Sequence, residues 1–406
     1  MFAREGKGEC RLDSVGASYN STGHRLHLPD IAASEGAHVF DGSGKRYVDL
    51  TAGVWCISVG HRNRRVLEAM RSQLEALSHA GFIYSHPIVE EAAASLLSIC
   101  GLDDGGVVFL ASGSEAIDFA RQVAKRVTNR DLSLTFHDAY LGSLSSVLDR
   151  SANWSIFDWE NCASCGGGRR TADCDHLGDV PDEVAEFIFE PGSSSGQVRF
   201  APVPLVRKLV DLVRHRGGKI IVNEVTTGIG RTGSWFGHDH YGISPDLIVV
   251  GKGIGNGYPV SAVAMNRETR LQLEATDFKY MQSHQNDPLG AAVVNEVIAV
   301  IRDEGLIERA AANGKVLLEA LHQLESHPAV VEVRGRGMLF AVDLEDESKA
   351  AGVFAALLER GFIVCLRGAT LRIDPPLTTP RDALLRFAAA CDEILVDSGA
   401  ARSLHE

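Results

Sequence analysis

No apolar run in the 406-residue chain reaches the roughly 20 residues that a membrane-spanning helix needs. A run of basic residues long enough to follow a phosphate backbone is missing too. With a formal charge of -13, neither a membrane nor a nucleic acid is expected as a partner. The first residues, MFAREGKGECRLDS, lack the apolar core of a secretory leader, so a cytoplasmic protein is the expectation. Internal repeats and long low-complexity linkers are also absent. Eight cysteines in a chain of this length do not make a disulfide scaffold.

What is present is the composition of a globular protein: 45% of residues are apolar and 23% charged, enough for a large core split into two or three domains. Small molecules are the expected ligands. Cys56, Cys100, Cys365 and Cys391 stand in apolar or helical surroundings and read as small buried side chains. The segment ENCASCGGGRRTADCDHL differs, because Cys162 and Cys165 form a C-x-x-C pair with Cys174 and His176 close behind. Three thiolates and one imidazole suit structural zinc. The single residue between Cys174 and His176 departs from common zinc spacings, so a loop of free thiols is preferred and no metal is expected.

Short apolar runs at Val107–Leu110, Leu132–Phe136, Phe187–Phe189, Ile220–Val222, Leu247–Val250 and Val260–Met265 read as buried strands. Helical periodicity follows several of them, with helices expected at Arg64–Ala76, Ser114–Val127 and Leu205–Arg214. This alternation predicts an α/β protein with a parallel, doubly wound sheet. From about Pro288 the pattern changes to long helices and then short strands at Val331–Val333, Met338–Val342, Phe362–Val364 and Leu371–Ile373. A helix over Ala383–Leu395 closes what reads as a separate, smaller α+β domain.

Two glycine-rich segments compete to define the chemistry. GIGRTG, Gly228–Gly233, has the G-x-G-x-x-G spacing behind a strand, which raises a dinucleotide-binding oxidoreductase as one reading. The residues that follow, SWFGHDHYGISPD, are broken by Gly237, Gly242 and Pro245 and offer no helix to meet a pyrophosphate. In VVFLASGSEAIDFARQVAKR, by contrast, Ser112, Gly113 and Ser114 run straight from a strand into an amphipathic helix. That arrangement makes an anion pocket from serine hydroxyls and the free N–H groups of a first turn; its plain alternative is a serine N-cap. Lys252 stands among four glycines in IVVGKGIGNGYPVSAV, directly behind an apolar strand. A lysine there is either a solvated turn residue or an amine held out of water so that it can react.

The segments SGSEA, EPGSSSG, NEVTTGIGRTG, PDLIVVGKGIGNGYP and LRIDPPL, in that order, resemble the class-III aminotransferases, pyridoxal-phosphate (PLP) enzymes of fold type I. The likeness runs through essentially the whole chain, from GAHVFDGSGKRYVDLTAG onward. It implies a large domain at 56–295 with a mostly parallel mixed sheet flanked by helices. A smaller α+β domain at 296–406 and an N-terminal segment, 1–55, packing with it complete the expected organisation. Lys252 resembles the lysine that forms the Schiff base with PLP, and Gly113 and Ser114, with Ser112 before them, the phosphate turn. Tyr140 matches an aromatic stacked on the pyridine ring, and Val225 the residue on its other face. Glu190 and Asn223 fall at further cofactor positions. Ser283 stands where a threonine usually reaches the phosphate from a partner subunit, which implies a homodimer with shared sites. Arg372 matches the arginine that grips a substrate carboxylate, and Trp55 is placed with it as a substrate contact.

Two departures from the family pattern bear on the reaction. Asn223 replaces the aspartate that normally keeps the pyridine nitrogen protonated; a neutral amide hydrogen-bonds the nitrogen but supplies no full charge. Ser193 and Ser195 stand where a glutamine and a second glutamate are usual, so Arg372 is expected to lack its acidic gate. Amino-group transfer between a small amino acid or amine and a keto acid is the first reading. Elimination or replacement at the β or γ carbon of an amino acid or aminophosphonate, with the same cofactor, is the second.

Overall fold

The structure, a computed structural model, describes residues 20–22, 26–160, 175–195 and 197–400. The thiolate group of Cys162, Cys165 and Cys174 lies outside the described residues, and of that loop only His176 falls within them.

Near the N-terminus β1 (Ile31–Glu35), β2 (His38–Asp41) and β3 (Arg46–Asp49) form an antiparallel meander. Its second turn is tied by Asp41, whose Oδ1 accepts the N–H groups of Ser43 and Lys45 at 2.9 and 3.0 Å. The amphipathic helix α1 (Arg64–Ala76) starts where Asn63 Oδ1 accepts the N–H groups of Arg65 and Val66. The next helix, α2 (Pro87–Cys100), opens with proline and stops at Gly101, whose φ of 64° is left-handed.

The large sheet then builds from β4 (Gly106–Leu110), the helix α3 (Gly113–Thr128), β5 (Leu132–Phe136), β6 (Trp154–Phe157) and β7 (Val184–Phe189). It continues through the helix α4 (Val203–His215), β8 (Lys219–Asn223), β9 (Leu247–Val250) and β10 (Ser261–Met265). Across the sheet the order is β4-β10-β9-β8-β7-β5-β6. The strands β5 to β9 pair in parallel, as expected, but β10 runs antiparallel to both its neighbours. A parallel crossover needs a dozen or more residues, usually with a helix, and the connection Gly251–Val260 carries only a short helical turn. In β9 the side chains alternate between two cores. Ile248 and Val250 pack with Ala92, Leu96, Val293 and Val297 on one side, and Leu247 and Val249 with Ile117, Ala120, Leu209 and Val213 on the other. Covered on both faces, the sheet exposes function only at its strand ends.

After α5 (Arg267–Glu274), the helices α6 (Pro288–Asp303) and α7 (Leu306–His322) lead to β11 (Val330–Arg336), β12 (Leu339–Leu344) and α8 (Glu347–Glu359). The chain finishes with β13 (Phe362–Ile363), β14 (Cys365–Arg367), β15 (Thr370–Ile373) and α9 (Arg381–Ala400). Strands in the order β11-β12-β15-β14 make an antiparallel sheet, while β13 leaves it to pair in parallel with β3. That pairing ties the N-terminal meander to the C-terminal part of the chain. Among the described residues no helix is long and apolar enough to cross a membrane.

Candidate active site

Every expected site residue from the large sheet lies just beyond the carboxyl end of a strand. Ser112 follows β4, Tyr140 follows β5, Glu190 follows β7, Asn223 ends β8, and Lys252 follows β9. Because β10 reverses between β4 and β9, those two strands point the same way and their ends meet. In an open α/β sheet this edge is where ligands bind.

Lys252 adopts a left-handed backbone, φ 46°, immediately after the extended Gly251. That conformation is uncommon for a side chain with a Cβ and belongs to positions the surroundings over-determine. Its Nζ lies 3.5 Å from the Thr226 hydroxyl and 4.6 Å from the centre of the Trp55 ring. Burial holds the amine below the usual lysine range, with Glu190, Cys56 and Asp374 opposing and Arg372 adding to the effect. Among the described residues no carboxylate stands within ion-pair distance of it. The amine is therefore held out of water with its proton more easily given up than that of a solvated lysine.

Trp55 owes its place to a left-handed turn. Ala52, Gly53, Val54 and Trp55 have φ values of 48°, 54°, 62° and 64°, a conformation that a β-branched residue such as Val54 rarely adopts. The turn lays the indole against both basic side chains, with Arg372 Cζ 3.6 Å and Lys252 Nζ 4.6 Å from its ring centre. Arg372, on β15, donates through Nε to Asp374 Oδ2 at 2.6 Å, and both residues are buried. The expectation that Arg372 lacks an acidic partner is therefore corrected. A carboxylate two residues along its own chain supplies one, because the strand has ended and Asp374 turns in while its N–H donates to Leu50 C=O. Burial pushes the Asp374 carboxyl up, and the guanidinium groups of Arg372 and Arg231 oppose it.

The phosphate turn is a cradle with no spare room. Ser112 caps α3, its Oγ accepting the Glu115 N–H, while Ser114 Oγ accepts the Ser143 N–H at 3.0 Å. A Cβ on Gly113 would lie 2.9 Å from Val225 Cγ1, and one on Gly142 would lie 2.7 Å from Ser114 Oγ. Ser112 takes the Glu115 and Ala116 N–H groups, which leaves those of Gly113 and Ser114 at the start of α3 for an anion, with Val225 between Gly113 and Gly251. Beside them, Asn223 Nδ2 donates to Tyr140 C=O at 3.1 Å and Asn223 Oδ1 accepts the Val225 N–H at 3.1 Å. One N–H and one lone pair of the amide remain for a ring nitrogen. The Tyr140 N–H in turn donates to Glu190 Oε2 at 2.8 Å, and the Ser194 hydroxyl donates to Glu190 Oε1. Burial lifts the Glu190 carboxyl to about 7, with the Ser194 and Tyr140 hydrogen bonds and the charge of Lys252 pulling the other way.

Below Asn223, Glu224 anchors the strand end. It accepts the Thr227 hydroxyl, the Gly237 and His238 N–H groups, and His238 Nδ1. Burial opposes ionisation there, but these donors leave Glu224 below its ordinary range. The GIGRTG segment proves to be a seam. Arg231 donates to the carbonyls of Met338 and Pro375, and Gly230 and Gly233 sit against Leu377 and Ala311 with no space for a Cβ. Burial lowers Arg231 to about 10. A packed seam of this kind offers no pyrophosphate site.

Lys252, Trp55, Arg372, Glu190, Tyr140, Asn223, Val225, Ser112, Gly113 and Ser114 thus come together. Ser283 does not: it is exposed in the stretch between α5 and α6. Thr226 and Asp374 are neighbours of the lysine and the arginine that were not singled out beforehand. Their only sequence signal is position, a hydroxyl three residues beyond Asn223 in NEVTTG and an acid two beyond Arg372 in LRID.

A lysine-centred site at the carboxyl ends of a mostly parallel sheet, above a helix N-terminus that can take a phosphate, defines a PLP enzyme of fold type I. The sequence model of aminotransferase class-III matches residues 19–158 and 172–395, and the chain belongs to that family. It is 31% identical over 379 residues to the acetylornithine aminotransferase of Methanopyrus kandleri, covering 91% of this chain and 95% of that one. It is 30% identical over 319 residues to the [LysW]-aminoadipate semialdehyde/glutamate semialdehyde transaminase of Sulfurisphaera tokodaii, covering 77% and 81%. A solved Bacillus anthracis aminotransferase superposes with a TM-score of 0.86 at 26% identity, over 93% of this chain and 96% of that one.

Proposed function

We propose that the protein binds pyridoxal 5'-phosphate on Lys252 and transfers an amino group between a small amino acid or amine and a keto acid. The observation that carries this reading is the desolvated Lys252 amine beside Thr226, at the strand edge shared with the phosphate cradle. The glycines support the fit, because a flat phosphorylated ring needs backbone at Gly113, Gly142 and Gly251 where side chains would intrude. PLP supplies an aldehyde that condenses with amines and a ring that withdraws electrons from the carbon bearing the amino group.

The chain's own residues do the rest. The first turn of α3, with Ser112, Gly113 and Ser114, binds the phosphate through N–H groups and hydroxyls. Tyr140 and Val225 bracket the ring, and Asn223 meets its nitrogen. Lys252, held low in pKa, takes the proton from the carbon bearing the amino group and returns it, with the Thr226 hydroxyl orienting Nζ. Trp55 keeps water from that amine, and Arg372 presents a guanidinium already fixed by Asp374 to a substrate carboxylate.

A homodimer belongs to the same reading. Phe82, Ile83, Tyr84 and Met281 are exposed at 52%, 74%, 74% and 77%, in two stretches joined by the 2.7 Å contact of His79 with Asp287. Ser283 lies among them, and in this reading it serves the phosphate of a second copy. So much exposed apolar surface beside a site residue is what a partner would cover.

Asn223 favours one alternative, elimination or replacement at the β or γ carbon, because a neutral partner leaves the ring a weaker electron sink. The two are separated by mixing the holoenzyme with single amino acids, amines and aminophosphonates. Amino-group transfer converts the cofactor to its amine form and releases a keto product. Release of ammonia, phosphate or a thioether while the aldehyde form persists would establish the alternative.

A further inference from the structure

Away from Lys252, two stretches distant in sequence meet at His79, His284 and Asp287. One donor atom from each of the three lies within 4.8 Å of the other two. His79 Nδ1 is 2.7 Å from Asp287 Oδ1, and the two imidazole rings stand 4.8 Å apart at a tilt of 47°. Asp287 is the residue before α6, yet its side chain makes no hydrogen bond to the first N–H groups of that helix. A carboxylate in that position ordinarily caps the helix. Here it has turned to the histidine instead, and among the described residues no lysine or arginine pairs with it.

We propose that His79, His284 and Asp287 form a binding site for a divalent cation of the zinc class, with water completing its coordination. Two imidazole nitrogens and one carboxylate oxygen suit Zn2+, Co2+ or Ni2+, whereas Mg2+ and Ca2+ take oxygen donors. Bonds of about 2.0–2.2 Å to a tetrahedral ion set the donors roughly 3.3–3.5 Å apart, so the widest separation closes by about 1.5 Å. Both histidines are exposed on the single chain, at the edge of the face proposed above to meet a second copy, and rotation of their side chains supplies that movement. A bound ion clips the stretch before α2 to the stretch that carries Ser283. The site's metal affinity does not depend on the reading of Lys252.

The test uses the holoenzyme with Cys162→Ser, Cys165→Ser and Cys174→Ser, so that the thiolates of that loop do not compete, and Co2+ as the probe. The expected result is one Co2+ per chain with visible d–d absorption and no thiolate charge-transfer band, displaced by Zn2+. His79→Gln and His284→Gln should each weaken binding by at least about tenfold, as the loss of a ligand requires. Circular dichroism and metal-free melting curves identical to those of the parent show that these exposed substitutions leave the fold intact. If the triple serine variant folds poorly, the same titration in the natural chain separates the two sites by their charge-transfer bands. No Co2+ uptake at millimolar metal, or uptake unchanged in both histidine variants, overturns the proposal.

Discussion

Trp55 packs against Arg372, its ring centre 3.6 Å from the guanidinium carbon, and Lys252 Nζ lies 4.6 Å from the same ring centre. One aromatic plate therefore positions both the reactive amine and the anion-binding arginine. A desolvated cation–π contact is worth about 2 kcal/mol. Trp55→Ala should raise KM for a carboxylate substrate by roughly 10- to 30-fold, and Trp55→Phe should recover most of it. Steady-state kinetics with kcat and KM resolved separately check this; an unchanged KM in the alanine variant contradicts it.

Asp374 sits between two buried guanidinium groups, hydrogen-bonded to Arg372 and facing Arg231. Asp374→Asn takes the counter-charge from Arg372 and leaves Arg231 with Asp49, which costs on the order of 3–5 kcal/mol. The variant should melt well below the parent in calorimetry. A melting temperature within a degree or two of the parent would show that the carboxylate is dispensable.

Glu190 gives a pH dependence with a definite sign. Burial raises its carboxyl from 4.5 to about 7 in the folded chain. An unfolded chain gives up that proton near pH 4.5, so the folded state binds more protons between the two values. The contribution of Glu190 is fully present below about pH 4.5 and is lost as pH rises toward 7, at on the order of 1 kcal/mol per pH unit. Glu190→Gln, which carries no charge, should match the cofactor-free parent near pH 5 and exceed its stability near pH 8. Denaturant unfolding at both values reads the difference, and equal differences at the two would refute the assignment.

Gly113 and Val225 touch so closely that a methyl group has no place between them. Because Val225 is β-branched and stiff, it cannot swing away. Gly113→Ala should cost about 1–3 kcal/mol in stability and weaken PLP binding, and adding Val225→Ala should restore much of both. Fluorescence titration of the cofactor and thermal melts of the single and double variants measure this, and an uncoupled pair defeats it.

Asn223 offers the sharpest view of the reaction. Asn223→Asp places a full charge at the ring nitrogen, which favours the protonated, more electron-withdrawing ring, but loses the donor to Tyr140 C=O. For amino-group transfer the variant should convert the cofactor to its amine form as fast as the parent or faster. It should also be less stable by about 1–3 kcal/mol through the unpaired carbonyl. Stopped-flow spectroscopy with one amino donor compares the two. Slower native turnover with stray transfer in the variant favours elimination instead.

Much of this was legible in the chain because periodicity and capping agree. The helix at Arg64–Ala76 matches its predicted limits because its apolar stripe is regular and Asn63 caps it. The helix α2 is absent from the expected elements because its middle, IVEEAAASLLSI, has only a weak apolar stripe; its length, its Ala, Glu and Leu content, the opening Pro87 and the closing Gly101 are what mark it as helix. The two-residue β13 falls within the strand expected at Phe362–Val364, whereas the three-residue β14 is too short for any alternation to register. Lys252 could be singled out because a lysine behind an apolar run is conspicuous. Trp55 owes its position to a left-handed turn of Ala52, Gly53 and Val54 that no residue type announces, and the partnership of Arg372 with Asp374 depends on a chain turning inward after its strand.

The most direct measurement is borohydride reduction of the purified protein followed by peptide mass spectrometry. If Lys252 holds the cofactor, the phosphopyridoxyl group will be found on the peptide containing Gly251 and Lys252, and Lys252→Ala will carry none. A modified lysine elsewhere in the chain, or a parent protein with no modification after loading with PLP, would contradict it.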